Sequence, residues 1–598
     1  MPAAKIEDYA FLSDCHGAAL VSSAGSIDWW CVPRFDSPSV FGRLLDPGAG
    51  HWSIAPTGDV QVERTYVRDS MAVRTTFTTG DGSVALTDAL ALEPGARGHD
   101  LGHRSPHTLL RRIDGLSGSV TVAVEVSPRL EYGLTVPRWH RVDDRWVAQA
   151  GPATLLLTVD LPLHAEGGTL QGVVTVAAGD RLELRLTYTP SYGTDDPAGV
   201  EMPGDVEDTV ESWQSWQDMH VAYEGAHVAE VRRSALVLQA LTYQPSGAVT
   251  AAATTSLPEK VGGSDNWDYR FAWVRDVSLT MQALWVGACP DEADKFFRWL
   301  GHSVGQIGDA PLQIMFGVEG ERDLSEHELN HLSGYRDSVP VRVGNEAWRQ
   351  RQLDVLGEVL LAAHLMRDQI GAFDPELRRL LSTLADQAVE QWRQPDAGMW
   401  EARDASRHYL TSKVMCWVAL DRAVLLADRL GDQAHPDRWA TARDEIKTTV
   451  LEQGWQESAG AYTGAFGSEE LDASVLLLPL VGFLPADDGR MLRTIHTVRD
   501  RLGDGALVHR WKGDGYGFLI CSYWLVECLA LAGEVEEAER RFETLTGYAN
   551  DVGLLAEEVD PATGELMGNF PQAFSHVGLI NAAWALTQQR ERAGEQQP

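Results

Sequence analysis

Cysteine is scarce in this chain. Its six cysteines (Cys15, Cys31, Cys289, Cys416, Cys521 and Cys528) are scattered over 598 residues without a C-x-x-C pair, which speaks against a zinc ribbon or a dithiol redox centre. Cys521 and Cys528 lie on one face of a predicted helix and read as buried thiols. Long apolar runs are also missing: none reaches the ~18–20 residues of a membrane helix. The stretch Met1–Tyr9 lacks the apolar core of a signal peptide, so a cytoplasmic location is expected. Basic residues are the third shortage, with 50 Lys and Arg against 86 Asp and Glu and a formal charge of −36. Such a field repels phosphate backbones and anionic lipid, which excludes nucleic acid and membrane as partners. A neutral small molecule is compatible with it, and the oligomeric state stays open. Tryptophan, by contrast, is abundant at 20 residues; core packing accounts for many, and indole faces also stack on sugar rings.

A chain of this length holds two or three domains, and its periodicity changes once. Over the first two hundred residues, Val120, Val122, Val124 and Val126 alternate with polar or small neighbours, as do Leu182, Leu184 and Leu186. Thr79-Gly80-Asp81-Gly82 separates two β-rich runs as a hairpin turn does. Residues 1–205 are therefore expected to form an antiparallel β-sandwich, making the chain α+β and multidomain. A linker helix is expected over 206–226. From 227 to 598 the pattern is helical, with twelve candidates near 227–243, 276–288, 290–303, 350–370, 372–392, 411–431, 436–453, 471–483, 487–502, 518–532, 534–549 and 571–590. Twelve helices joined by alternately long and short connections fit a closed double ring of six hairpins. A solenoid gives a similar tally, but no repeat of fixed length is present.

The long connections carry the chemistry. Glu401, in Gly398-Met399-Trp400-Glu401, and Glu557, in Leu555-Ala556-Glu557-Glu558-Val559-Asp560, each sit beside apolar or aromatic neighbours. Two carboxylates in unequal environments suit acid-catalysed cleavage of a glycosidic bond: one protonates the leaving oxygen and the other activates water. Arg275 and Asp276 open a helix side by side, a donor-only fork next to an acceptor-only carboxylate, which can grip vicinal hydroxyls. A helix-dipole aspartate with a surface ion pair reads equally well from those two residues alone.

Longer strings decide more. Asn266-Trp267-Asp268-Tyr269-Arg270 with Trp273-Val274-Arg275-Asp276 resembles the substrate loop of glycoside hydrolase family 15, the glucoamylase family. So do Trp400-Glu401-Ala402-Arg403 with Ser412-Lys413-Val414-Met415-Cys416-Trp417, and Ala556-Glu557-Glu558-Val559-Asp560 with Gly568-Asn569-Phe570-Pro571-Gln572. Asp8-Tyr9-Ala10-Phe11-Leu12 and Ser26-Ile27-Asp28-Trp29-Trp30 resemble its bacterial branch, so the likeness runs in order along nearly the whole chain. Within the family, His331-Leu332-Ser333-Gly334-Tyr335, Val341-Arg342-Val343-Gly344-Asn345 and Leu471-Asp472-Ala473-Ser474 are most similar to the actinobacterial trehalases.

The resemblance implies a β-sandwich followed by an (α/α)6 barrel and an inverting, exo-acting attack on α-linked glucose. It implies Glu401 as general acid and Glu557, rather than Glu558, as general base, with the two carboxyls ~6.5–9.5 Å apart. It places Arg275 and Asp276 on the non-reducing glucose and Arg510 at the border of the first two sugar sites. Trp348, Trp400 and Trp417 are candidate pocket walls, with Gln352 and Asp354 as further candidates for the same pocket. No metal and no cofactor is expected, because water, an acid and a base suffice. The segment Trp511–Phe518 is shorter than the family's and lacks its Glu-Gly-rich stretch, which leaves the leaving sugar open between trehalose and other α-glucosides. An inverting phosphorylase shares the architecture but does not need Glu557, and a non-catalytic glycan-binding protein does not need either carboxylate.

Overall fold

The computed structural model describes residues 4–192, 204–220, 223–286, 292–304 and 311–595. The predicted junction of two helices around Cys289, and residues 221–222 of the expected linker, lie outside them.

All strands of the N-terminal part pair antiparallel. The long strand Thr108–Ser127 joins two layers. Its second half pairs with His51–Pro56 and Thr169–Ala177, and its first half with Gly82–Leu90 and Arg181–Pro190. The alternating Val120, Val122, Val124 and Val126 are all buried, as a strand with one face on the core requires. Thr79 and Gly82 close the hairpin expected there. Arg111 pins the layers together: it pairs with buried Asp88 at 2.8 Å, and its guanidinium also donates to the carbonyls of Gly25 and Trp52 in the other layer.

Fifteen helices follow among the described residues: α1 Val206–Asp218, α2 Val228–Ala240, α3 Val274–Val286, α4 Glu292–Val304, α5 Asp354–Leu365, α6 Arg367–Ile370, α7 Pro375–Gln391, α8 Leu410–Leu425, α9 Ala427–Leu430, α10 Pro436–Gln453, α11 Leu477–Leu480, α12 Gly489–Leu502, α13 Leu519–Leu531, α14 Val535–Thr546 and α15 Ala573–Glu595. Their contacts close a ring. Helix α3 packs on α5, α5 on α8, α8 on α11, α11 on α13, α13 on α15, and α15 on α3 again. Helices α2, α4, α7, α10, α12 and α14 pack outside this ring, and the chain alternates between outer and inner members. Composition follows position. The first twelve residues of α13 are all buried, whereas α14 buries only Ala538, Phe542 and Leu545. A helix apolar all round belongs inside, and one with a single stripe belongs at the surface.

The sequence overextends one helix in particular. Instead of a helix over 471–483, a 3-10 turn Ala473–Leu476 runs into the short α11, which contains Pro479 and stops before Gly482 at φ +76°. Proline lacks the amide that would continue the ladder, and glycine at positive φ ends it. Likewise α5 begins at Asp354, after a separate 3-10 turn Glu346–Arg349, rather than at 350.

Candidate active site

A cavity of about 590 Å³ opens where the chain enters the inner helices. Every wall residue precedes or begins one of them: Arg275 and Asp276 start α3, Asn345 precedes α5, Trp400 and Glu401 precede α8, Arg510 and Phe518 precede α13, and Glu557 and Phe574 flank the start of α15. Helix N-termini carry partial positive charge, so this end of the ring suits carboxylates and developing negative charge. Glu401, Glu557, Arg275, Asp276, Trp400 and Arg510, all expected from the sequence, come together on this wall.

Two aromatic residues connect the carboxylates. Trp273 donates its indole N–H to Glu401 Oε1 at 2.6 Å, and the Tyr269 hydroxyl donates to Glu557 Oε1 at 2.9 Å. The two rings pack edge to face with centroids 5.6 Å apart, so the acids sit at opposite ends of one rigid pair. Glu401 lies in a tight turn at φ +60°, after Gly398 at φ +69°. A left-handed glutamate is strained, a state that persists where the surroundings over-determine it. Here Arg275 ties the turn down by donating to the Met399 carbonyl at 2.6 Å, and its guanidinium lies 3.6 Å from Glu401.

Burial dominates the electrostatics. It pushes Asp276 up to about 7 against the pull of Arg275, and Asp354 and Glu358, buried behind the pair, up to about 6 and 8. Burial, then Glu259, pushes Glu557 up to about 8, while Arg510 and the Tyr269 hydroxyl act in the opposite direction. Burial works against charge on Arg510 too. Three carboxylates outweigh it: Glu259 at 2.5 Å, Asp514 at 2.9 Å and Glu558 at 3.2 Å. Glu558 lies on a short strand that turns alternate side chains to opposite faces, so it meets Arg510 while Glu557 meets Tyr269 and Gln572.

Trp400 is held by Asp472, which accepts its indole N–H at 2.9 Å, and by ring contacts with Phe518 and Trp524. The string Leu471-Asp472-Ala473-Ser474 thus acts on the site through one hydrogen bond. Two expected wall residues are elsewhere. Trp417 packs on Phe483 under Lys447, because it lies seven residues into α8, ~10 Å from the end that borders the cavity. Trp348 stacks with Arg349 in the turn before α5 and is not on the wall. Gln352 and Asp354 are buried beneath the wall rather than on it. Tyr269, Trp273, Glu259 and Gln572 are wall residues without a role assigned from sequence. The first two had a signal, since they stand six and two residues before Arg275 within the same motif; Glu259 had none.

None of the cavity wall comes from residues 4–192. The β-layers brace it from behind instead. Arg270, buried and paired with Asp268 at 2.7 Å, donates to the Ser37 carbonyl and lies over the rings of Trp29 and Tyr132. Trp29 donates to the Ala253 carbonyl at 2.9 Å. The loop that carries Tyr269 and Trp273 is thereby clamped between the two parts.

Known proteins agree with this construction. Residues 225–584 match Glycosyl hydrolases family 15, and residues 1–167 match Trehalase-like, N-terminal. A protein named Trehalase from Mycobacterium tuberculosis is 39% identical over 99% of this chain and 91% of its own length. Another from Mycolicibacterium smegmatis is 38% identical over 99% and 92%. A crystal structure of bacterial glucoamylase complexed with acarbose superposes with a TM-score of 0.72 over 98% of this chain and 94% of that one, at 14% identity, which establishes the shared fold. On its sequence, its fold and the residues gathered in its cavity, the chain belongs to glycosyl hydrolases family 15.

Proposed function

We propose that the protein hydrolyses the α-glucosidic bond of α,α-trehalose with inversion. The observation that carries the chemistry is the pair of carboxylates set at the two ends of Tyr269–Trp273, in a cavity whose buried floor is Arg275 and Asp276. The relatives named Trehalase, similar along both parts of the chain, support the substrate. The cavity volume suits a small molecule.

In this reading Arg275 and Asp276 hold the hydroxyls of the non-reducing glucose. Glu401 gives its proton to the glycosidic oxygen as the C1–O bond breaks. Glu557, ionised, takes a proton from a water that bonds to C1 from the opposite face. The attacked sugar leaves as β-glucose and the other as α-glucose, and both carboxyls then exchange protons with solvent. The functional division that goes with it is a bracing domain over 1–205, a linker over 206–226 and a catalytic domain over 227–598.

Proton NMR during early turnover tests the reading, with trehalose, maltose and isomaltose in parallel. Equal amounts of β- and α-glucose from trehalose are expected. Silence on trehalose with β-glucose from another sugar would remove the substrate and keep the mechanism; α-glucose 1-phosphate or β-glucose 1-phosphate appearing only with added phosphate would remove hydrolysis. Glu401→Gln and Glu557→Gln are each expected to lower trehalose turnover by roughly 10²–10⁴-fold. Near-normal turnover by either variant would withdraw that residue's role.

A further inference from the structure

Glu259 lies on the part of the cavity wall where neighbouring Lys260 and Asp265 are exposed, whereas Arg275 and Asp276 on the same wall are buried. Its backbone is fixed: its own N–H donates to the Asp265 carbonyl at 3.2 Å, and the Gly568 N–H donates to the Pro258 carbonyl at 2.9 Å. One carboxylate oxygen, Oε2, accepts from Arg510 Nη2 at 2.5 Å. The other, Oε1, accepts no hydrogen bond from the described residues, and the side chain is 14% exposed. The wall around it is the outer part of the cavity, where Lys260, Asp265, Gly513 and Gly515 are exposed.

We propose that Glu259 is a specificity-determining residue that accepts a hydroxyl of the leaving sugar. This rests on the reading of the cavity as an α-glucoside site. An exo-acting enzyme places the non-reducing sugar on the closed floor, so the departing sugar occupies the open side where Glu259 stands. Arg510, next to it, donates from Nε and Nη2 to Glu259, Asp514 and Glu558, which fixes its guanidinium beside Glu259. A carboxylate only accepts, and a sugar presents hydroxyl donors. Of the three carboxylates that hold Arg510, Asp514 is 4% exposed and Glu558 1%, so the one with an oxygen open to that sugar is Glu259, through Oε1. A site that reads a hydroxyl discriminates strongly against a substrate without it.

The test compares Glu259→Gln with wild type on trehalose and on α-D-glucosyl fluoride, whose leaving group carries no hydroxyl. We expect kcat/KM on trehalose to fall about 10- to 100-fold, and to fall at least about ten-fold more than on the fluoride. Because the Glu259 charge helps to push Glu557 up, the acidic limb should move to lower pH equally on both substrates, and the ratio is therefore read above the limb. Parallel losses on both substrates above the limb would mean that Glu259 acts only through Glu557 or the fold, and would overturn the proposal. Unchanged trehalose kinetics would overturn it as well. If wild type cleaves maltose rather than trehalose, the substrate reading fails separately, and the same ratio measured with maltose decides on Glu259.

Discussion

At the scale of the residue, the site is two carboxyls, each held in place by a few neighbours. Glu557 lies in a buried acidic group with Glu259 and Glu558, and burial pushes it up to about 8 from 4.5. A base must be ionised before it can take a proton from water, so the acidic limb of kcat/KM should lie near neutrality rather than near 4.5. The Tyr269 hydroxyl, 2.9 Å from Oε1, favours the ionised form, because it donates to the charged oxygen. Removing it in Tyr269→Phe raises the proton affinity of Glu557 further. A hydrogen bond to a charged group is worth about 1.5–3 kcal/mol, so the limb should move up by roughly 1–2 pH units. Rates above the new limb should suffer less than rates below it. A limb that stays in place, or moves to lower pH, would assign the ionisation to some other group.

At the scale of the element, activity depends on short connections held in unusual backbone states. The turn before α8 is the sharpest case. Gly398 has φ +69°, and a Cβ there would lie 2.7 Å from the ring of Tyr409. Gly398→Ala therefore has to shift the turn that carries Trp400 and Glu401. We expect kcat to fall by about 10²-fold, the scale set by displacing a reacting group by an ångström, with far-UV circular dichroism unchanged. Normal kcat would show that the turn absorbs the methyl group. Such turns also mark the limit of what periodicity reveals. The helices that bury one face, such as α12 with Met491, Ile495, Val498 and Leu502, stand out in sequence because spacing encodes their packing. The ring closure does not stand out, since it depends on which helices touch across some hundreds of residues. Glu401 and Glu557 were legible through their motifs. Trp417 was misplaced because a tryptophan in a motif looks alike whether it lines a cavity or fills the space between α8 and α10. Glu259 escaped notice because its loop has no periodicity, and its importance comes from Arg510, 251 positions away.

At the scale of the whole molecule, the fold carries buried carboxyls well beyond the cavity wall, and they couple stability to pH. Glu527 is the simplest example. It lies in the fully buried stretch of α13, its Oε1 has no hydrogen-bond partner, and burial alone pushes it up to about 8. Its proton affinity is higher folded than unfolded, so between about 4.5 and 8 the folded chain binds more protons than the unfolded one. Unfolding free energy then falls as pH rises through that window, by up to about 1.4 kcal/mol per pH unit from this group. Below the window Glu527 is neutral in both states and contributes no slope; above it, the full cost of a buried charge is present. Glu527→Gln keeps the shape and removes the titration. The variant should match wild type in Tm at pH 5 and exceed it by about 2–4 °C at pH 9, flattening the Tm–pH curve between them. Because Glu527 is not on the cavity wall, this change in stability should leave the acidic limb of kcat/KM where Glu557 sets it. An unchanged Tm–pH slope would mean that water or a rearranged neighbour already relieves Glu527, while a gain confined to low pH would reverse the sign and rule out a proton held by burial.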